Sequence, residues 1–233
     1  MFNGFSQSTG DFLWGLSMNN DREWFNAHRD EYEAHLNQPF RALALQTLQM
    51  LQARFPEQDF QLHIARIWRD ARRLFGRGPF KDHLWFSIQS GDRHAHGPMF
   101  WFELDPTGWS YGAGNWEDAA DLTAAWRARI DADPARFERL ARDIAARGPF
   151  RLWGETYKRP KADRGEFLNP WYNRRHISVG REHAYGGVMY TPEFPDYLAA
   201  RFAELIPFYK FLREVWNDVL TERAGRQVPR SRI

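Results

Sequence analysis

"FQLHIARIWRDARRLFGRGPFKDHLWFSIQS", Phe60 to Ser90, is the stretch whose reading decides the fold. Up to Phe55 the apolar residues recur with a helical spacing, and from Phe60 the period changes to two, with Phe60, Leu62 and Ile64 on one side. Strands are predicted over residues 60–69 and 83–90, with two more over 98–105 and 108–113. Turn-rich "SGDRHAHGP" and "DPTG" join the later ones. Connections this short favour an antiparallel meander, since parallel neighbours need a long crossover.

Helical patterns lie on both sides of these strands. "STGDFLWGLSMNN" has a Ser8/Thr9 cap and sets Phe12, Leu13 and Leu16 on one face. Asn20 or Asp21 caps a second helix carrying Trp24, Phe25, His28, Tyr32 and Leu36, and Pro39 marks its end or a kink. A third runs from Phe40 and stops before Pro56. Past the strands, Asp118 and Asp133 start two more helices, the latter with Pro134 in its first turn and Gly148 as its stop. "FRLWGETYKR" and "RHISVGRE" supply further extended segments, and the end reads as two helices divided at Pro207. The fold class is therefore α+β: an antiparallel meander packed with N-terminal, middle and C-terminal helices. No repeat or low-complexity linker interrupts residues 1–222, which read as one domain followed by a basic tail, 223–233.

A chain of 233 residues that is 43% hydrophobic, with eleven Trp and nineteen Phe, has ample surface to bury against the entropy of ordering. The absence of cysteine excludes disulfides, thiolate metal sites and cysteine nucleophiles, and fits the cytoplasm. No secretory signal pattern opens the chain and no segment approaches a membrane span.

Net charge is +2, but its distribution is uneven. Residues 66–83 hold Arg66, Arg69, Arg72, Arg73, Arg77 and Lys81 against Asp70 and Asp82. Arg223, Arg226, Arg230 and Arg232 close the chain, so the rest is acidic by six charges. An acidic body with two basic patches is not the profile of a general nucleic-acid coat.

Strand alternation puts Arg66 on a face with Leu62, Ile64 and Trp68, where a guanidinium needs a partner. Glu103 or Asp70 can supply one. The set as a whole outnumbers its local acids, and guanidinium forks match phosphate or carboxylate oxygens. Glycines in "FGRGPFK" allow close backbone approach to a ligand as well as a plain turn. The G-x-x-x-x-G-K-[ST] phosphate loop is absent. "SYGAGNW" places Gly112 and Gly114 before a helix, a junction that can turn N–H groups toward an anion or simply make a tight turn. Tyr157 or Tyr111 can act as an acid in such a pocket. Asp92, His94 and His96 have a metal-ligand look but fall in a polar loop, and no metal is assigned. His63 and His83 serve as packing or acid/base residues.

These landmarks occur in a familiar order: "GF", "NND..WF", Pro39, "RIWRD.R", "GPFK", "GAGNW", "ETYKRP" and "IPFYKFL". From about Phe2 to Trp216 the chain resembles the family of domain of unknown function 2461, a cytoplasmic group of bacterial and fungal proteins. In that family's R-I-Y-R-D-x-R-F-x-x-D-K-x-P-Y-K pattern, Arg66, Ile67, Arg69, Asp70, Arg72, Pro79 and Lys81 match. Arg73, Gly76 and Arg77 depart from it and make the loop more positive. Arg127 and Lys158 match further basic positions of the family pattern.

The leading functional expectation is a site for an anionic small molecule bearing phosphate or carboxylate. Arg66, Arg69, Arg72 and Lys81 ligate it, Asp70 orients the guanidinium groups, and Arg127 and Lys158 assist. Such a set can position a substrate and stabilise developing negative charge, but no nucleophile or cofactor is named by the sequence. The alternatives are nucleic-acid binding through the arginine loop and tail with stacking Trp and Tyr, and a protein-interaction domain whose arginines are ion-paired scaffolding.

Overall fold

The computed structural model describes residues 1–70, 72, 74, 76–91, 97–117, 119–148 and 150–227. Along the chain come α1 (Gln7–Met18), α2 (Arg22–Ala27), α3 (Arg29–Glu31), a π turn (Tyr32–Asn37) and α4 (Gln38–Arg54). Strands β1 (Phe60–Ile64), β2 (Leu84–Ser90), β3 (Met99–Asp105) and β4 (Gly108–Asn115) follow. Then come α5 (Ala120–Ala132), α6 (Pro134–Ala146), β5 (Arg151–Trp153), α7 (Gly165–Tyr172), β6 (Ile177–Ala184), α8 (Phe194–Glu204) and α9 (Ile206–Gln227). The strands form one sheet in the order β1-β2-β3-β4-β6-β5, a meander through β4 with the last two strands added in reverse. The α+β reading holds. The strand expected over 60–69 ends at Ile64, and beyond the Ala65 bond to Trp85 an isolated bridge joins Trp68 and Phe80.

Contacts among the described residues divide the chain into two compact units. The first draws on Met1–His94, Phe100–Tyr111 and Glu182–Ala203, the second on Ala95–Met99, Gly112–Arg181 and Glu204–Ile233. In the first unit, β1 pairs with β2 so that Leu62 faces Ile88 and Ile64 faces Phe86. β2 pairs with β3 so that Phe86 faces Phe102 and Leu84 faces Leu104. This face carries the large rings: Phe40 of α4 meets Phe86 at 5.5 Å, and Phe202 of α8 meets Phe100 at 5.1 Å. Phe194 of α8 also reaches Phe2, Phe5, Phe102 and Trp109. Edge-on and tilted ring pairs of this kind add to the burial energy that closes the core.

Pro39 does not end the helical path. A π turn precedes it and Pro39 occupies the first turn of α4, where a missing N–H costs least. One turn back, the His35 carbonyl that Pro39 cannot serve accepts the Thr9 hydroxyl at 2.8 Å, and Thr9 is fully buried.

In the second unit, Trp126, Phe137, Trp171, Phe208 and Phe211 form a cluster of mostly edge-on rings. Asp133 caps α6 through Arg136 N at 2.8 Å. Arg129 and Arg136 tie α5 and α6 to Glu214 and Asp218 of α9. The expected tail begins as helix, since 223–227 continue α9 and Arg223 is held by Asp121 and Glu117. Arg230 and Arg232 lie outside the described residues, as do Arg73 and Asp118. Gly114 sits within β4, and a Cβ there would come within 2.5 Å of Ser178. The glycine therefore serves close packing inside the strand rather than a turn.

Candidate functional site

The arginine-rich segment belongs to the first unit and is fixed by backbone pairing. Ala65 N donates to the Trp85 carbonyl, Arg69 N to Pro79, and Lys81 N to Ile67. Between the Ala65 contact and the Trp68–Phe80 bridge, one side uses Arg66 and Ile67 and the other uses Lys81 through Leu84. The excess residues bulge, a device that bends a strand and re-aims its side chains. Asn20 locks this arrangement with a two-point clamp, its Nδ2 donating to the Phe80 carbonyl and its Oδ1 accepting from Phe80 N, both at 3.0 Å. Gly78 makes the approach possible, because a Cβ there would lie 2.1 Å from the Asn20 carbonyl oxygen.

The cations of the segment meet different fates. Arg69 is nearly enclosed, with its side chain 10% exposed. Its Nε donates to the Phe80 carbonyl at 2.6 Å and Nη2 to Asp82 Oδ1 at 3.0 Å. Arg72 projects into solvent, 88% exposed, and forms a two-pronged pair with Asp70. Lys81 donates its ammonium to the Arg66 carbonyl at 2.7 Å, and burial together with the Arg69 charge holds its pKa below the usual lysine value. Arg66 differs. Among the described residues its guanidinium has no carboxylate partner, and neither Glu103 nor Asp70 is paired with it.

Arg66 instead lines an open cleft of about 230 Å³ with Ala65, Ile67, Trp68, Phe25, Arg29, Tyr32, Glu33, Asn37 and Arg41. The helical contributors Phe25, Arg29, Glu33, Asn37 and Arg41 are spaced by four. On an ideal α-helix each step of four drifts by about 40°. The wider π turn at Tyr32–Asn37 winds less per residue and turns that drift back, in keeping with the frequent placement of such turns at functional sites. Asn37 separates the charges of the stripe. Its Nδ2 donates to Glu33 Oε2 at 2.7 Å and its Oδ1 accepts from Arg41 Nε at 3.0 Å. Among the described residues Arg29 reaches only Asn26 and the Phe25 ring. The cleft therefore gathers three guanidinium groups and one carboxylate.

Its floor is aromatic. Phe25 stacks on Phe80 at 4.1 Å and meets Tyr32 at 5.1 Å, while Trp68 lies 4.4 Å from Phe80 and 5.9 Å from Phe25. The Tyr32 phenol is pushed up to about 12 by burial and by the Glu33 charge, against the pull of Arg41. It stays neutral and able to donate a hydrogen bond. Arg29, Arg41 and this floor escape a sequence reading centred on residues 66–83. The signal that finds them is the four-residue spacing from Phe25 to Arg41, which Pro39 disguises as a helix end.

A second polar cluster lies in the second unit. Tyr157 OH donates to Thr123 Oγ1 at 3.1 Å, Arg127 lies over the Tyr157 ring at 5.6 Å, and Lys161 Nζ lies over it at 4.5 Å. Burial acts to raise the phenol's pKa. The hydrogen bonds with Thr123 and Arg127 and the two nearby cationic charges outweigh it and hold the value below the ordinary one. Lys158 is exposed. The remaining histidines have local roles: His28 stacks on Trp24 at 4.0 Å and His83 Nδ1 lies 3.1 Å from Asp82 Oδ1. Among the described residues no group of His, Asp and Glu could hold a metal ion, and Asp92, His94 and His96 lie outside them. No helix among the described residues is long and apolar enough to cross a membrane.

A family model described as a conserved hypothetical protein, DUF2461, matches residues 8–211. No curated protein matches the chain significantly. The matched span takes in the Asn20 clamp, the Arg66 cleft, the bulge at Lys81 to Leu84 and the Tyr157 cluster, and the chain is a member of the DUF2461 family.

Proposed function

We propose that the protein binds a small anion, a phosphate or carboxylate group, in the cleft of Arg29, Arg41 and Arg66. The observation that carries this reading is the imbalance of charge: three guanidinium groups line the cleft with one carboxylate, and that carboxylate accepts from Asn37. Guanidinium groups left without internal acids at one concavity match anionic oxygens in planar, two-point geometry. Within the expected set, Arg66 is the ligating group. Lys81, Arg69 and Asp70 act as scaffolding, since each is spent on a backbone carbonyl or on a neighbouring charge. Arg127 and Lys158 belong to the second unit and are assigned no part in this cleft.

Isothermal titration with a panel of phosphate- and carboxylate-bearing metabolites tests the reading. Binding is expected, weakened about tenfold or more by Arg66→Ala, the scale of a lost charge-assisted hydrogen bond, and unchanged by Arg72→Ala. No binding across the panel, or binding indifferent to Arg66→Ala, overturns it.

A further inference from the structure

We infer that the anion bound in this cleft is joined to a planar ring that stacks on Trp68, and that the ligand is of the nucleoside monophosphate class. This rests on the proposed anion site and adds the other half of its ligand.

Trp68 is 43% exposed, although it is seated against the fully buried Phe80 and close to Phe25. One side of the indole is fixed by rings beneath it, and the rest opens on the cleft that Arg66 enters from two residues away. A held indole with an open face is a stacking platform, and such platforms accept nucleobases because every base presents a π face. Arg66, Arg29 and Arg41 line the same hollow as Trp68, and Arg29 lies over the Phe25 ring, which is itself 5.9 Å from the indole. A ring and a phosphate are thus accommodated together. Tyr32, whose hydroxyl makes no hydrogen bond among the described residues, is available to a ring nitrogen, carbonyl or sugar hydroxyl. The volume, about 230 Å³, falls below the range usual for drug-sized ligands. A single base can lie on the platform while its phosphate reaches the guanidinium groups, and the cleft is open to solvent beyond them.

The test titrates the full chain with inorganic phosphate, ribose 5-phosphate, adenosine 5′-monophosphate, uridine 5′-monophosphate and O-phosphotyrosine, followed by calorimetry. Adenosine monophosphate is expected to bind about tenfold or more tighter than ribose 5-phosphate, as one base stack implies. The two-ring purine is expected to exceed the pyrimidine. In Trp68→Leu the nucleotide falls to the level of ribose 5-phosphate, while ribose 5-phosphate itself is unchanged. Because Trp68→Leu also removes packing on Phe80, the wild-type comparison of ribose 5-phosphate with the nucleotides decides by itself. Equal affinity for the two, still weakened by Arg66→Ala, overturns the ring assignment and leaves the anion reading standing. Phosphotyrosine binding more tightly than adenosine monophosphate overturns the nucleoside class. No binding by any of the five overturns the nucleotide assignment, and the anion reading falls with it only if the carboxylate-bearing metabolites of the wider panel also fail to bind.

Discussion

Lys81 spends its ammonium on the carbonyl of Arg66, at 2.7 Å, and so holds the backbone of a guanidinium that has no carboxylate partner among the described residues. Burial and the Arg69 charge keep the folded-state pKa of Lys81 below its ordinary 10.5. A lysine depressed in the folded state binds fewer protons there than in the unfolded chain, so stability rises with pH until the ordinary value is passed. Relative to Lys81→Met, the wild type should gain stability as pH climbs through the alkaline range toward 10.5. Urea midpoints at several pH values measure this, and parallel profiles for the two proteins would refute it.

Gly78 and Asn20 form a steric pair. Gly78→Ala places a methyl group 2.1 Å from the Asn20 carbonyl and 2.2 Å from its Oδ1. Overpacking of this kind costs about 1–3 kcal/mol. Adding Asn20→Ala removes the side-chain clash but not the backbone one, so the double variant should stay less stable than Asn20→Ala alone. Thermal or urea denaturation of the cycle decides.

Thr9→Val removes the hydroxyl that donates to the part-buried His35 carbonyl, at a cost of about 1 kcal/mol. Pro39→Ala restores an N–H one turn away from that carbonyl. In the Pro39→Ala background the loss from Thr9→Val should therefore shrink, and additive losses would show that the hydroxyl does not compensate the proline.

Glu103, opposite Trp85 in the register and on the sheet face away from Phe86 and Phe102, has its pKa raised by burial and by the charges of Asp105 and Asp82, with His83 opposing. A carboxyl raised in the folded state holds its proton longer there than in the unfolded chain, so stability falls as pH rises from the ordinary value of 4.5 through the folded one. Glu103→Gln should remove that decline and raise the melting temperature near neutral pH. A variant no more stable than wild type at pH 7 would argue that His83 compensates the buried charge.

The sheet was legible in the sequence because Phe60, Leu62 and Ile64 alternate with Gln61 and His63, and Phe102 and Leu104 with Glu103 and Asp105, and a period of two has one structural meaning. The helix termini at Asp21 and Asp133 were legible for the same local reason, a side chain that caps its own third residue. What stayed hidden depends on contacts distant in sequence. Nothing near Arg69 announces that Asp82, thirteen residues on, will neutralise it. The Phe25–Arg41 stripe was masked by Pro39, whose lost hydrogen bond is answered from α1 rather than by a helix end. No element was read from the sequence over α7, which opens on Gly165 and contains Pro170. It is held by the burial of Leu168, Trp171 and Tyr172.

The first compact unit is assembled from three separated stretches of chain, and Phe194, in the last of them, is the ring on which Phe2, Phe5, Phe102 and Trp109 converge. A ribosome that has delivered only the first two stretches has therefore made a polypeptide in which Phe2, Phe5, Phe102 and Trp109 still lack the ring they converge on. The growing chain carries that exposed apolar surface while some seventy further residues are translated. This makes any expression fragment ending near Tyr111 a candidate for inclusion bodies.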